Sequence, residues 1–171
     1  KLREEVKGNL EREVKRRIQS RLKEQVMDAL IEVAPIEVPK ALVQAESNQL
    51  ADNARRDLEM RGLKTKDIPV DPSWFKDQAE RRVKLGLIMA ELVKTSELHA
   101  KPEQIRALVE EMAQSYEDPS ELVRWYYAQP ERLAQAEAVV IEDNVVEWVC
   151  AKADTSDKDV AFDELMGNNA A

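Results

Sequence analysis

The residues best equipped for covalent or acid–base chemistry are Cys150, His99 and adjacent carboxylates such as Glu4 with Glu5 and Glu110 with Glu111. A cysteine nucleophile needs a base beside it. The only imidazole is His99, in a connector, whereas Cys150 falls on an apolar helical stretch. The expectation is a buried structural thiol and a solvated histidine. One His and one Cys also fall short of a typical zinc ligand set. The four glycines stand singly and form no phosphate-cradling loop. Neighbouring glutamates on a helix point about 100° apart, a poor start for sharing a proton. No catalytic, metal or cofactor site is expected.

Recognition chemistry is better represented. The chain has three Trp, three Tyr and two Phe, and most gather at two connectors: Trp74 with Phe75, and Tyr116 with Trp125, Tyr126 and Tyr127. Residues 125 to 127 sweep about 200° of a helix, so three large rings cannot all enter one core. At least one should face solvent or a partner; the blander alternative puts two rings in a local core and the third flat on the surface. Met60, Leu63, Ile68 and Val70 surround the other connector, which is polar and poor in helix signals. An apolar patch there is unusual for a monomer that binds nothing.

These residues are positioned by helices that start at prolines. Pro72, Pro102, Pro119 and Pro130 each suit a first helical position, where the missing N–H costs nothing, and Asp118 with Glu121 has capping-box spacing. The expected helices run near 2–33, 39–61, 72–95, 102–117, 119–128 and 130–152, with a short one near 158–166. Gly62 suits a helix C-terminus. The β-branched run AVVIEDNVVEWV lacks a turn glycine and continues a helical pattern, so it is read as helix. In the first helix Leu2, Val6, Leu10, Val14, Ile18 and Leu22 recur at intervals of four. Each step overshoots a turn by about 40°, so the stripe winds about 200° and no single flat partner covers it.

Between that helix and the next lies EVAPIEVPKALV, residues 32 to 43. Pro35 and Pro39 push the residues before them out of α geometry, so residues 34 to 38 should run extended. Ile36 and Val38 would then face the core, Glu37 would face water, and Pro39 would open the next helix.

Composition sets the outer limits. The 171 residues are 43% hydrophobic and 35% charged, consistent with one large domain or a tight pair of subdomains. The net charge of −8, with basic residues interspersed among more numerous carboxylates, argues against nucleic acid as a partner. No apolar run approaches the ~20 residues that cross a bilayer, and no export signal is evident. The chain reads as cytosolic, and its Lys1 inside a helical pattern reads as a fragment of a longer protein.

Taken together, IEVPKALVQAE after a long charged helix, QAERRVKLGLIMAELVKTSEL, ALVEEMAQSYEDPSELVRWYY and the terminal FDELM resemble the C-terminal domain of bacterial trigger factor, a ribosome-associated chaperone family. The resemblance covers essentially the whole chain, residues 1–171. It implies an elongated all-α body with two protruding helical arms that hold unfolded or nascent polypeptides without ATP in the bacterial cytoplasm. The first arm would carry Met60, Leu63, Ile68, Val70 and Phe75 near its tip, and the second Met112, Tyr116, Trp125, Tyr126 and Tyr127. The helices from 2 to 33 and 130 to 152 would form the body. The family's ribosome-docking and prolyl isomerase domains are not in this chain, so neither ribosome binding nor isomerase activity is expected of it. Self-association stays open. The rival expectation is a helical docking module with a single contiguous groove for one defined partner.

Overall fold

The computed structural model describes residues 2–63, 69–114, 116 and 118–167. The described residues are helical and contain no strand. The helices are α1 (Leu2–Val33), α2 (Lys40–Met60), α3 (Lys76–Thr95), α4 (Pro102–Ala113), α5 (Pro119–Tyr127), α6 (Pro130–Lys152) and α7 (Phe162–Met166), with a short 3-10 helix over Pro72–Phe75. The β-branched run in question lies wholly within α6. The chain divides into two compact units, one of residues 29–91 and one of residues 1–28 with 92–171.

In the unit of residues 29–91, α2 and α3 pack antiparallel. Val43, Leu50 and Ala79 form the buried cluster, with Val38 and Phe75 against it. Arg82 pairs with Glu46 at 2.9 Å. Arg55 reaches across to donate to the Val70 carbonyl at 2.8 Å, so contacts step back along α2 as the chain advances.

The crossover differs in detail from its expected extended form. The Ile36 amide bonds the Ala34 carbonyl at 2.9 Å, an i to i−2 bond that makes a three-residue turn. That turn breaks the alternation of faces. Ile36 therefore stays exposed while Val38 still reaches the core. Pro39 is the N-cap rather than the first helical residue, because its ψ of 123° is still extended.

Helix α2 ends in a Schellman motif. Gly62 takes φ 78°, its amide bonds the Glu59 carbonyl at 2.9 Å, and the Leu63 amide bonds the Leu58 carbonyl at 3.0 Å. A side chain at Gly62 would meet no atom within 4 Å, so only backbone conformation requires glycine there.

In the other unit, α4, α5 and α6 pack on one another. Val109, Ala113 and Val145 are fully buried, and Ala136 and Val140 nearly so. Helix α1 is tied to three of its neighbours by charge: Lys15 pairs with Glu111 of α4, Arg21 with Glu164 of α7, and Lys23 with both Glu142 and Asp143 of α6 at 3.1 and 3.0 Å. Burial alone would lower the Lys23 pKa, but hydrogen bonds to Asp143 and Glu142 outweigh it and raise the pKa.

The connector between α3 and α4 is fastened by side-chain amides. Asn144 donates to the Leu98 and His99 carbonyls at 3.3 Å, and Gln104 donates to Asn144 at 2.7 Å while accepting from the Lys101 amide. Glu97 sits there at φ 55°, a left-handed position unusual for a residue with a side chain. His99 is exposed, in line with a solvated connector residue.

Two helix ends fall short of their expected limits. Helix α4 stops at Ala113 rather than 117, because the Gln114 amide is shared between the Glu110 and Glu111 carbonyls and Tyr116 turns back onto Ala113. The last helix begins at Phe162, four residues after the expected start.

Candidate functional site

Hydrophobic side chains that a folded chain leaves in water are the feature to locate, and each unit has a group of them. In the unit of residues 29–91, the end of α2 carries Met60, 79% exposed, and Leu63 follows the Gly62 turn half exposed. The Schellman turn ends α2 just before Leu63, so these side chains are not drawn into the α2–α3 packing.

The pair at Trp74 and Phe75 divides its roles. In a 3-10 helix successive residues are about 120° apart, so adjacent side chains cannot face the same way. Phe75 packs against the Val43, Leu50 and Ala79 cluster, and Trp74 is left 66% exposed. The turn is held by Asp71, whose side chain accepts from the Ser73 amide at 2.8 Å; that bond also holds the Asp71 carboxyl below its ordinary pKa.

Two residues expected at this tip are corrected. Val70 is buried, 7% exposed, because Arg55 pins its carbonyl back to α2. Phe75 belongs to the local core for the reason just given. Ile68 lies outside the described residues. Trp74 takes the exposed place instead of Phe75; two adjacent aromatic residues give no periodicity to rank them, and only the direction of the core separates them.

In the second unit, α4 and α5 bring Met112, Tyr116, Trp125, Tyr126 and Tyr127 into one neighbourhood. Asp118 caps α5, accepting from the amides of Ser120 and Glu121 at 3.0 and 3.1 Å. The Ser120 hydroxyl, at 2.7 Å, and the Glu121 N–H stabilise its charged form and lower its pKa.

The expected spread of the three consecutive rings is found. Trp125 and Tyr127 are each 48% exposed, while Tyr126 is half-buried and points its hydroxyl at the Met112 sulfur, 3.9 Å away. Trp125 meets Tyr126 edge to face at 5.3 Å between centroids. Tyr116 and Met112 are exposed. Trp125, Tyr116 and Leu122 line a shallow cleft with Asp118 and Glu121.

The winding stripe on α1 also stays open. Val6, Leu10, Ile18 and Leu22 are exposed and Val14 is half-buried; only from Val26 and Met27 to Leu30 does the helix bury its apolar side. One more four-residue step past Leu22 carries the stripe around to that buried face.

Cys150 is half-buried rather than fully enclosed. It sits near the end of α6, where the neighbouring Trp148 and Val149 are half-buried too. Among the described residues no group of three or more His, Cys, Asp or Glu side chains could hold a metal ion, and no helix is long and apolar enough to cross a membrane.

Comparison with known proteins agrees with this architecture. The family described as bacterial trigger factor protein C-terminus matches residues 1–151. Trigger factor of Azoarcus sp. (strain BH72) is 79% identical over 170 residues, covering 99% of this chain and 39% of that protein. Trigger factor of Aromatoleum aromaticum is 76% identical over the same share of each. Trigger factor of Dechloromonas aromatica is 60% identical over 167 residues, covering 98% of this chain and 38% of its own length. The chain thus spans about two fifths of these relatives. On the match to residues 1–151 and these identities, the chain belongs to the trigger factor C-terminal family.

Proposed function

We propose that this chain is an ATP-independent chaperone domain of the bacterial cytoplasm that captures unfolded or nascent polypeptides on separated apolar surfaces. Family membership supports the chaperone role. The observation that carries the finer reading is the exposure of large apolar side chains in both compact units: Met60, Leu63 and Trp74 in one, and Met112, Tyr116, Trp125 and Tyr127 in the other. Tyr126 contributes by supporting Trp125 and Met112 rather than by direct exposure. Val70 and Phe75 act as the local scaffold for the first surface.

The physical logic is weak contacts in number. Apolar burial is worth roughly 25 cal/mol per Å², so one half-exposed side chain holds a client briefly, and several held together raise avidity through effective concentration. Charged residues make up 35% of the chain and separate the apolar groups, which keeps them from joining one another. Methionine suits such a surface, since its flexible thioether adapts to varied partners.

The test is suppression of aggregation. The 171-residue chain, without nucleotide, should slow aggregation of several chemically unfolded proteins of unrelated sequence. Protection of one client alone would instead favour a docking module for a defined partner, and a requirement for ATP would remove the proposed mechanism.

A further inference from the structure

We infer that Arg132 is a positioning residue for the second apolar surface: it clamps Trp125 from two sides and presents the indole ring in a fixed orientation for client contact. This rests on the reading of that surface as a client site. Arg132 lies in the first turn of α6, across the short Ala128–Gln129 connection from the end of α5. Its guanidinium donates to the Trp125 carbonyl at 2.9 Å. The Cζ of the same guanidinium stands 3.4 Å from the centroid of the Trp125 ring.

Each contact has a separate physical purpose. The Trp125 carbonyl belongs to the last turn of α5, where the final carbonyls lack intrahelical partners, and a cation there also opposes the negative end of the helix. The planar guanidinium can stack on an aromatic face while its edge still donates hydrogen bonds, a combination unavailable to lysine. One side chain therefore fixes the backbone and the ring of the same residue. Tyr126 supports the ring at a second place, edge to face at 5.3 Å. Trp125 is nevertheless 48% exposed, so the clamp leaves ring surface open to a client.

An exposed indole without such support would sample several rotamers and lose them on each capture. Immobilising a side chain on binding costs roughly 0.5–1.5 kcal/mol, about a two- to tenfold change in affinity, and a ring already held avoids that loss.

The probe is permanently unfolded, reduced and carboxymethylated α-lactalbumin, titrated against the 171-residue chain and its variants. Arg132→Ala should weaken capture roughly two- to tenfold with little change in melting temperature, and should broaden or shift the Trp125 indole N–H signal, assigned by its loss in Trp125→Phe. Arg132→Lys, which keeps the charge but not the stacked fork, should recover only part of the affinity. In a Trp125→Ala background, Arg132→Ala should have no further effect.

Unchanged or tighter capture by Arg132→Ala would overturn the inference, showing an idle or shielding arginine. So would equal weakening in the Trp125→Ala background, or full recovery by lysine. If Trp125→Ala itself leaves capture intact, the client-site reading fails instead, and the indole signal still decides whether Arg132 holds the ring.

Discussion

Trp74 and Phe75 are neighbours in sequence with opposite surroundings, which makes them a controlled pair. Phe75 packs on the Val43, Leu50 and Ala79 cluster. Full burial of Phe costs about 3–5 kcal/mol on truncation to Ala, so a half-buried ring falls near the low end, about 3 kcal/mol. For a chain of this length that lowers the melting temperature by roughly 6–12 °C. Trp74 is 66% exposed. About a third of a ~250 Å² side chain then rests on protein, worth at most about 2 kcal/mol and less against a compact unfolded state. Trp74→Ala should therefore shift melting by no more than about 4–8 °C, less than Phe75→Ala. Its effect on function should run the other way. If a client covers even a quarter of the open ring, truncation removes about 1 kcal/mol of contact, close to a fivefold loss of affinity. The assays are calorimetric melting and titration with an unfolded client labelled by a fluorophore. Equal melting losses for the two variants would refute the assigned orientations. Full client affinity in Trp74→Ala would remove this residue from the client surface.

Other outcomes follow from the same geometry. Combining Met60→Ala and Leu63→Ala with Tyr116→Ala should weaken capture more than either group alone, because a client engaging both units loses two sets of contacts; titration of the singles and the combination checks this. Gly62→Ala should destabilise by about 1 kcal/mol in denaturant melts, since φ 78° is costly once a Cβ is present, while Glu97→Gly should stabilise by up to about 1 kcal/mol for the converse reason at φ 55°. Asp71 and Asp118 both have depressed pKa values from their capping hydrogen bonds, those of Asp71 led by the Ser73 N–H and those of Asp118 by the Ser120 hydroxyl. Their contribution is therefore fully present above the unfolded carboxylate pKa of about 3.9 and is lost as pH falls through the lower folded values. Melting from pH 5 downward should show a shallower acid decline in Asp71→Asn with Asp118→Asn than in the parent.

Much of the helical order is readable from local chemistry, because proline fixes where a helix can begin, and Asp118 completes the cap ahead of Pro119. Pro102, Pro119 and Pro130 all stand at first helical positions. Pro72 opens a 3-10 turn instead, and no residue-level signal separates that from the first turn of an α-helix. Periodicity also identified the open stripe on α1, since a four-residue repeat must wind off any single neighbour. The details that failed depend on contacts distant in sequence. Val70 looks like a connector residue until Arg55, fifteen residues earlier, is seen on its carbonyl. Ile36 obeys the alternation of an extended strand only if no turn forms, and the Ala34 carbonyl makes one. Arg132 carries no sequence signal at all, because its meaning lies in where the corner between α5 and α6 puts Trp125.

The most direct measurement follows methyl NMR signals of Met60, Leu63 and Met112 during titration with two unfolded proteins of unrelated sequence. Client capture on separated apolar surfaces predicts that all three shift or broaden with both clients, while the fully buried Val109 and Val145 hold their positions. Binding of both clients with Met60, Leu63 and Met112 unperturbed, or perturbation by one client only, would contradict it.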